Sequence, residues 1–156
     1  MEVLDTVISR MGAHLPYHLR PVIHSIITYI GDSRVVVRIQ TMKVFQKLLQ
    51  LATPRNVTSV ICDNLNHRSP RVREDCINLI TSALLTFPSY EFDLLDLSER
   101  VSVCLLDSKR RVRQASLENI ATIAQFLGPT KLGPLMSAVG KLEVKLYRKL
   151  KFKNLF

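Results

Sequence analysis

The side chains able to do chemistry fall into three groups, and two of them lack partners at a usable spacing. His14, His18 and His24 offer imidazoles on one stretch, with His14 and His18 four apart. Pro16 stands between those two and no cysteine or HExxH partner is near, so no zinc site is expected. Cys62, Cys76 and Cys104 are odd in number, lack CxxC spacing and sit in apolar helical contexts, which reads as reduced core thiols. No glycine-rich phosphate loop, GxSxG elbow or paired carboxylate constellation occurs, so the chain is expected to be no enzyme and to need no cofactor or small-molecule substrate. Glu74, Asp75 and Glu118 read as solvated helix faces. Ser116 in RRVRQAS and Ser69-Pro70 look like kinase sites but fall at core-facing and N-cap positions.

The third group is cationic, and its chemistry is electrostatic docking. The net charge is +9, and residues 32–38, 67–73 and 107–113 hold nine Lys/Arg against two Asp. The segment 141–156 holds six Lys/Arg against one Glu, so the rest of the chain is slightly acidic. Basicity gathered into three short segments and one end is the footprint of an acidic partner.

The elements that position those cations emerge from an internal repeat. Val37-Arg38, Val72-Arg73 and Val112-Arg113 recur at intervals of 35 and 40 residues. Four residues after each Val stand Thr41, Cys76 and Ser116, and eight after stand Phe45, Ile80 and Ile120. Leu48/Leu49, Ala83/Leu84 and Ile123/Ala124 come at eleven and twelve. Offsets of 0, 4, 8, 11 and 12 trace one face of an α-helix. Ser69-Pro70 and Thr53-Pro54 supply N-caps with proline at the first helical position, Asp32/Ser33 and Asp107/Ser108 cap the other copies, and Gly128-Pro129 stops the last.

Shorter apolar stretches at about 19–30, 54–65 and 98–106 serve as first helices, with a loop over 86–96. The fold expected is all-α, an α-α superhelix of HEAT/armadillo type. It comprises repeats at about 15–52, 53–88 and 93–128 with partial units at either end. Residues 1–140 form the solenoid and 141–156 a basic tail, read as an amphipathic helix with membrane-surface binding as a lesser alternative. No run approaches the ~20 apolar residues that span a bilayer. Glu2 and Asp5 stand where a secretory signal needs cations, so export is not expected and Asn56-Val-Thr58 is not read as a glycosylation site.

Arg38, Arg73 and Arg113 come directly after the core Val. Each guanidinium is expected to pair with the turn Asp of its own or a neighbouring repeat, Asp32 or Asp107, in a structural ladder. Arg34, Arg68, Arg71, Lys109, Arg110 and Arg111, with His67, occupy the turns themselves, which a solenoid lines up along one edge.

The period, the unit and the D-x-x-x-x-V-R register resemble HEAT repeats. IGDSRVVVRIQ, NHRSPRVRED and LDSKRRVRQASLENI resemble the third, fourth and fifth repeats of a TOG domain, the tubulin-binding array, of the crescerin type related to CLASP. His67-Arg68 stands where those families carry a His-Lys or His-Arg pair. The resemblance covers about 15–135 and implies tubulin or microtubules as partner, met through the intra-repeat turns. It further implies a monomeric module in the cytoplasm and cytoskeleton, at the cilium, axoneme or centrosomal region. It matches Arg34 and Arg68 most directly and Lys109 least, and it leaves the domain without its first two repeats and most of its sixth. The rival readings are a general HEAT scaffold for another acidic protein or for nucleic acid, and a stabilising fragment with no ligand. The turns lack aromatic residues for base stacking, which counts against nucleic acid.

Overall fold

The apolar offsets fold as helices in the structure, a computed structural model that describes residues 2–133, 135–137 and 139–142. Helices α1 (Glu2–Met11), α2 (Leu15–Ile26), α3 (Val35–Leu51), α4 (Pro54–Cys62), α5 (Pro70–Thr86), α6 (Leu94–Ser102) and α7 (Arg110–Leu127) succeed one another, with short 3-10 turns between several of them. No strand occurs among the described residues. The chain is an all-α superhelix of helix-turn-helix units, α2–α3, α4–α5 and α6–α7. All but two residues of the basic tail expected at 141–156 lie outside the described residues.

The repeated face is the core. Thr41, Phe45, Leu48 and Leu49 on α3, Cys76, Ile80, Ala83 and Leu84 on α5, and Ser116, Ile120 and Ile123 on α7 are all buried. Each such aliphatic side chain contributes about 1.5–3 kcal/mol by leaving water. Leu117, five residues after Val112, is 54% exposed, because no described second helix packs beyond α7 on that side.

First-helix boundaries differ from expectation for local reasons. Asp93 accepts a hydrogen bond from the Asp96 amide at 3.2 Å and starts α6 at Leu94, which shortens the expected loop; the remainder of that loop contains a 3-10 turn at Ser89–Glu91. In the first and third repeats the first helix ends in a 3-10 turn, Ile27–Gly31 and Val103–Leu106, which delivers the chain into the basic turn.

The first helices α2, α4 and α6 pack in sequence, and among the second helices α5 lies closely along α7. By contrast, α3 scarcely touches α5; the 3-10 turn Ile27–Gly31 packs there instead. Gly31 makes that approach possible, since a Cβ on it would lie 2.9 Å from Val72 Cγ2 and 3.2 Å from the Val72 amide nitrogen.

A basic edge of three turns

The three turns share one hydrogen-bond scheme. Asp32 Oδ1 accepts from the Arg34 amide at 2.8 Å, and Asp107 Oδ1 accepts from the Lys109 amide at 2.8 Å. In the middle turn His67 Nδ1 does the same for the Ser69 amide at 3.1 Å, so a neutral imidazole there carries its proton on Nε2. The expected Asp32 and Asp107 therefore hold the amide two residues downstream, and in the middle turn His67 takes that part in place of the expected Ser69. Ser69 itself makes no side-chain cap hydrogen bond.

The arginines after the core valines also share a scheme, and it departs from a full ladder. Arg73 Nε donates to Asp107 Oδ2 at 2.8 Å and Arg73 Nη2 to Asp107 Oδ1 at 2.9 Å, while its Nη1 donates to the His67 carbonyl at 2.6 Å. Arg38 Nη1 donates to the Asp32 carbonyl and Arg113 Nη1 to the Asp107 carbonyl, each at 2.8 Å, and neither guanidinium holds a carboxylate among the described residues. The expected pairing of all three with turn aspartates is thus corrected to one ionic rung, Arg73–Asp107, and two carbonyl braces. Two features accompany the difference: α5 and α7 lie close together whereas α3 stands off α5, and the turn that follows Arg38 offers His67 where the one that follows Arg73 offers Asp107.

Asp107 shows the consequence. Burial pushes its carboxyl up, but the hydrogen bonds from Arg73 and the Lys109 amide, with the charges of Arg73 and Arg113, outweigh that and hold it below the usual carboxylate value. Asp32 also lies low, through the side-chain and backbone hydrogen bonds of Arg34.

The remaining turn cations differ in how free they are. Arg34 is forked onto Asp32, Nε to Oδ1 at 3.1 Å and Nη2 to Oδ2 at 3.2 Å. Arg111 Nε lies 3.3 Å from Glu74 Oε2 across a groove of about 460 Å³ between α5 and α7. Arg68, Lys109 and Arg110 are exposed, Arg71 is half-buried, and none of the four makes an ion pair or side-chain hydrogen bond among the described residues. Glu74 is therefore a bridge and not a bare solvated acid. Asp75 is corrected likewise: it is half-buried, its Oδ2 has no hydrogen-bond partner among the described residues, and burial, with the charge of Glu74 second, pushes its carboxyl up.

One charged network lay outside the sequence-based expectations. Asp63 Oδ1 accepts from Arg100 Nη2 at 2.6 Å, and Asp63 Oδ2 lies 2.7 Å from Arg20 Nη1, so one carboxylate ties α2, α4 and α6 together. The signal is present in the sequence, since Arg20, Asp63 and Arg100 stand about one repeat apart. Among the described residues no three His, Cys, Asp or Glu cluster in a way that could hold a metal. The three thiols are buried, which pushes Cys62 up to about 12 and Cys104 up to about 11.

No protein-family model matches the chain. It is 39% identical over 145 residues to the TOG array regulator of axonemal microtubules protein 1 of Mus musculus, covering 93% of this chain and 8% of that protein's length. A solved structure described as "Crescerin uses a TOG domain array to regulate microtubules in the primary cilium" superposes with a TM-score of 0.86 at 38% identity, covering 96% of this chain and 62% of the other. The MAST/Orbit N-terminal domain superposes with a TM-score of 0.73 at 20% identity, covering 92% and 70%, and shares the fold. The three turns with their shared scheme and these likenesses have one common reading: the chain belongs to the TOG-domain family, of the crescerin type.

Proposed function

We propose that this chain is a tubulin-binding module that docks its turn edge on the acidic tubulin surface and so takes part in the regulation of microtubules, in the cytoplasm and at the cilium or axoneme. Residues 1–140 form the docking solenoid, acting as a monomer, and no bond is made or broken. The observation that carries this reading is the set of uncommitted cations, Arg68, Arg71, Lys109 and Arg110, held on the adjoining turns of α5 and α7 by the Arg73–Asp107 rung. His67 belongs to the same turn, with its Nδ1 taken by the Ser69 amide. Arg34 and Arg111 contribute less, because an acid of this chain already holds each of them.

Rigid turns cost little ordering on binding, and complementary charge speeds encounter and fades with salt. Co-elution of the chain with αβ-tubulin at two salt concentrations tests the reading. Arg68→Glu with Arg110→Glu should weaken retention by about tenfold or more, equivalent to about 1.4 kcal/mol, with helicity unchanged. Arg34→Glu should do less than either. Retention that is indifferent both to salt and to the Arg68/Arg110 pair would exclude the turn edge.

A further inference from the structure

One position of the repeated turn differs between copies in a way that bears on docking. Four residues before the core Val, the middle turn carries Arg68, one of the uncommitted cations of the edge, and the outer turns carry Ser33 and Ser108. Both serines are exposed, and neither hydroxyl makes a hydrogen bond among the described residues. The same slot is therefore a cation in one turn and an open hydroxyl in the other two.

Ser108 differs from Ser33 in its neighbours on the C-terminal side. Lys109, Arg110 and Arg111 occupy the next three positions, whereas Ser33 precedes Arg34, which Asp32 already holds, and then Val35 and Val36. Asp107 and Lys109 on either side of Ser108 have extended backbones, φ −60° ψ 146° and φ −96° ψ 124°, the conformation in which a kinase cleft takes its substrate. Ser116 and Ser69, the serines with sequence contexts suggestive of kinases, lack this access: Ser116 is buried with its Oγ donating to the Val101 carbonyl at 2.8 Å, and Ser69 is half-buried at the start of α5.

We infer that Ser108 is a phosphorylation site for an ATP-dependent serine kinase that selects cations on the C-terminal side of its target, and that its phosphate folds back onto the third turn and cancels it as a docking element. In the transfer, Ser108 Oγ bonds to the γ-phosphorus of ATP, the bond from that phosphorus to the β–γ bridging oxygen breaks, ADP leaves, and the hydroxyl proton passes to the kinase base. The product adds about −1.5 to −2 charges at neutral pH. Residues 107–113 carry three net positive charges, so the turn is left with little more than one.

The seat for that phosphate is built from groups already in place. Arg113 Nη1 donates to the Ser108 carbonyl at 3.2 Å, which fixes its guanidinium beside this residue, and Arg113 Nε and Nη2 hold no partner among the described residues. Arg110 opens the 18-residue helix α7 two positions on, with the free amides and positive end that favour an anion. The loss of partner binding rests on the function proposed above; the seat does not.

The full chain, treated with ATP and a purified kinase of that specificity, should take up one phosphate, located at Ser108 by mass spectrometry. Uptake should vanish in Ser108→Ala and persist in Ser33→Ala and Ser69→Ala. By phosphorus NMR the bound phosphate should titrate below the ordinary value near ~6, and return toward it in Arg113→Gln. Tubulin retention should fall about tenfold on phosphorylation, with a shallower salt dependence. Uptake elsewhere, or a Ser108 phosphate titrating at its ordinary value in the unsubstituted chain, would overturn the site. A phosphate seated as described with tubulin retention unchanged would instead overturn the turn-edge reading and leave the site standing.

Discussion

The junction between the second and third repeats and the junction between the first and second use the same Val-Arg turn and are held in different ways. In the former, α5 lies along α7, and Arg73 reaches across to Asp107 with both side chains nearly out of water, 13% and 11% exposed. In the latter, α3 stands off α5, the 3-10 turn Ile27–Gly31 fills the place against Val72, and Arg38 spends its guanidinium on its own turn's carbonyls. A repeated motif thus fixes the local brace, whereas the neighbouring turn, through its distance and the residue it offers, decides whether that brace becomes a tie between repeats. The tied junction is also the one that sets the middle and third turns side by side, where the uncommitted cations stand.

Breaking the tie should have the largest effect. Asp107→Ala leaves the Arg73 guanidinium half-satisfied in a mostly dry site and removes the acceptor for the Lys109 amide, so about 3 kcal/mol of stability should be lost, read by urea denaturation. The sign with pH comes from the depressed carboxyl. Stability from this pair is fully present above the unfolded value near ~3.9 and is lost as pH falls through the lower folded value. The variant should therefore show a weaker acid limb than the unsubstituted chain.

Gly31→Ala attacks the other junction. Its Cβ would meet the Val72 side chain and amide at 2.9 and 3.2 Å, and the amide is backbone that cannot swing aside. A loss of about 2 kcal/mol is expected, without change in the acid limb, because no ionic pair is involved. A neutral outcome would mean that the 3-10 turn is not what holds the first repeat to α5.

Much of this is legible in the sequence. The helical offsets locate the core face and the three turns, because burial at a period of 3.6 leaves its mark on residue type within one element. The relation between neighbouring elements is less legible. Nothing in Val37-Arg38 against Val72-Arg73 says that α3 stands off α5, so the expected ladder runs through all three copies. Asp75 departs from its expected solvated state for the same reason: its exposure is set by α5's surroundings, not by its own place on the helix. The Asp63 clamp joins first helices, whose Arg20, Asp63 and Arg100 lie about one repeat apart, and the Val-Arg register marks only the second helices. The unequal freedom of Arg34, Arg111 and Arg110 depends on side-chain pairing, which charge counting cannot resolve.

Asp75→Asn tests a smaller term with the opposite sign. The folded state holds this carboxyl above its unfolded value through burial and the charge of Glu74, so the ionised form costs stability. That cost begins as pH rises past the unfolded value near ~3.9 and is complete above the folded one. The amide should stabilise the chain at neutral pH by up to about 1 kcal/mol and make no difference in strong acid. Urea midpoints at the two pH values read both halves.

The smallest expected effect is the most discriminating for the comparison. His67 occupies the turn position that Asp107 holds in the next repeat, so the missing rung at Arg38 has two explanations: the wrong residue at 67, or α3 too far from α5. His67→Asp separates them. An Asp preserves the acceptor for the Ser69 amide, as Asp32 and Asp107 do for theirs, so the turn itself is undisturbed. Were residue type the cause, the new carboxylate would take Arg38 and add stability of the size lost in Asp107→Ala. The stand-off of α3, and the hydrogen bonds that hold the Arg38 guanidinium on the Asp32 and Ser33 carbonyls, argue that it stays on its own turn. His67→Asp should accordingly change stability by less than about 0.5 kcal/mol, while the added negative charge beside Arg68 and Arg71 should still weaken tubulin retention at low salt.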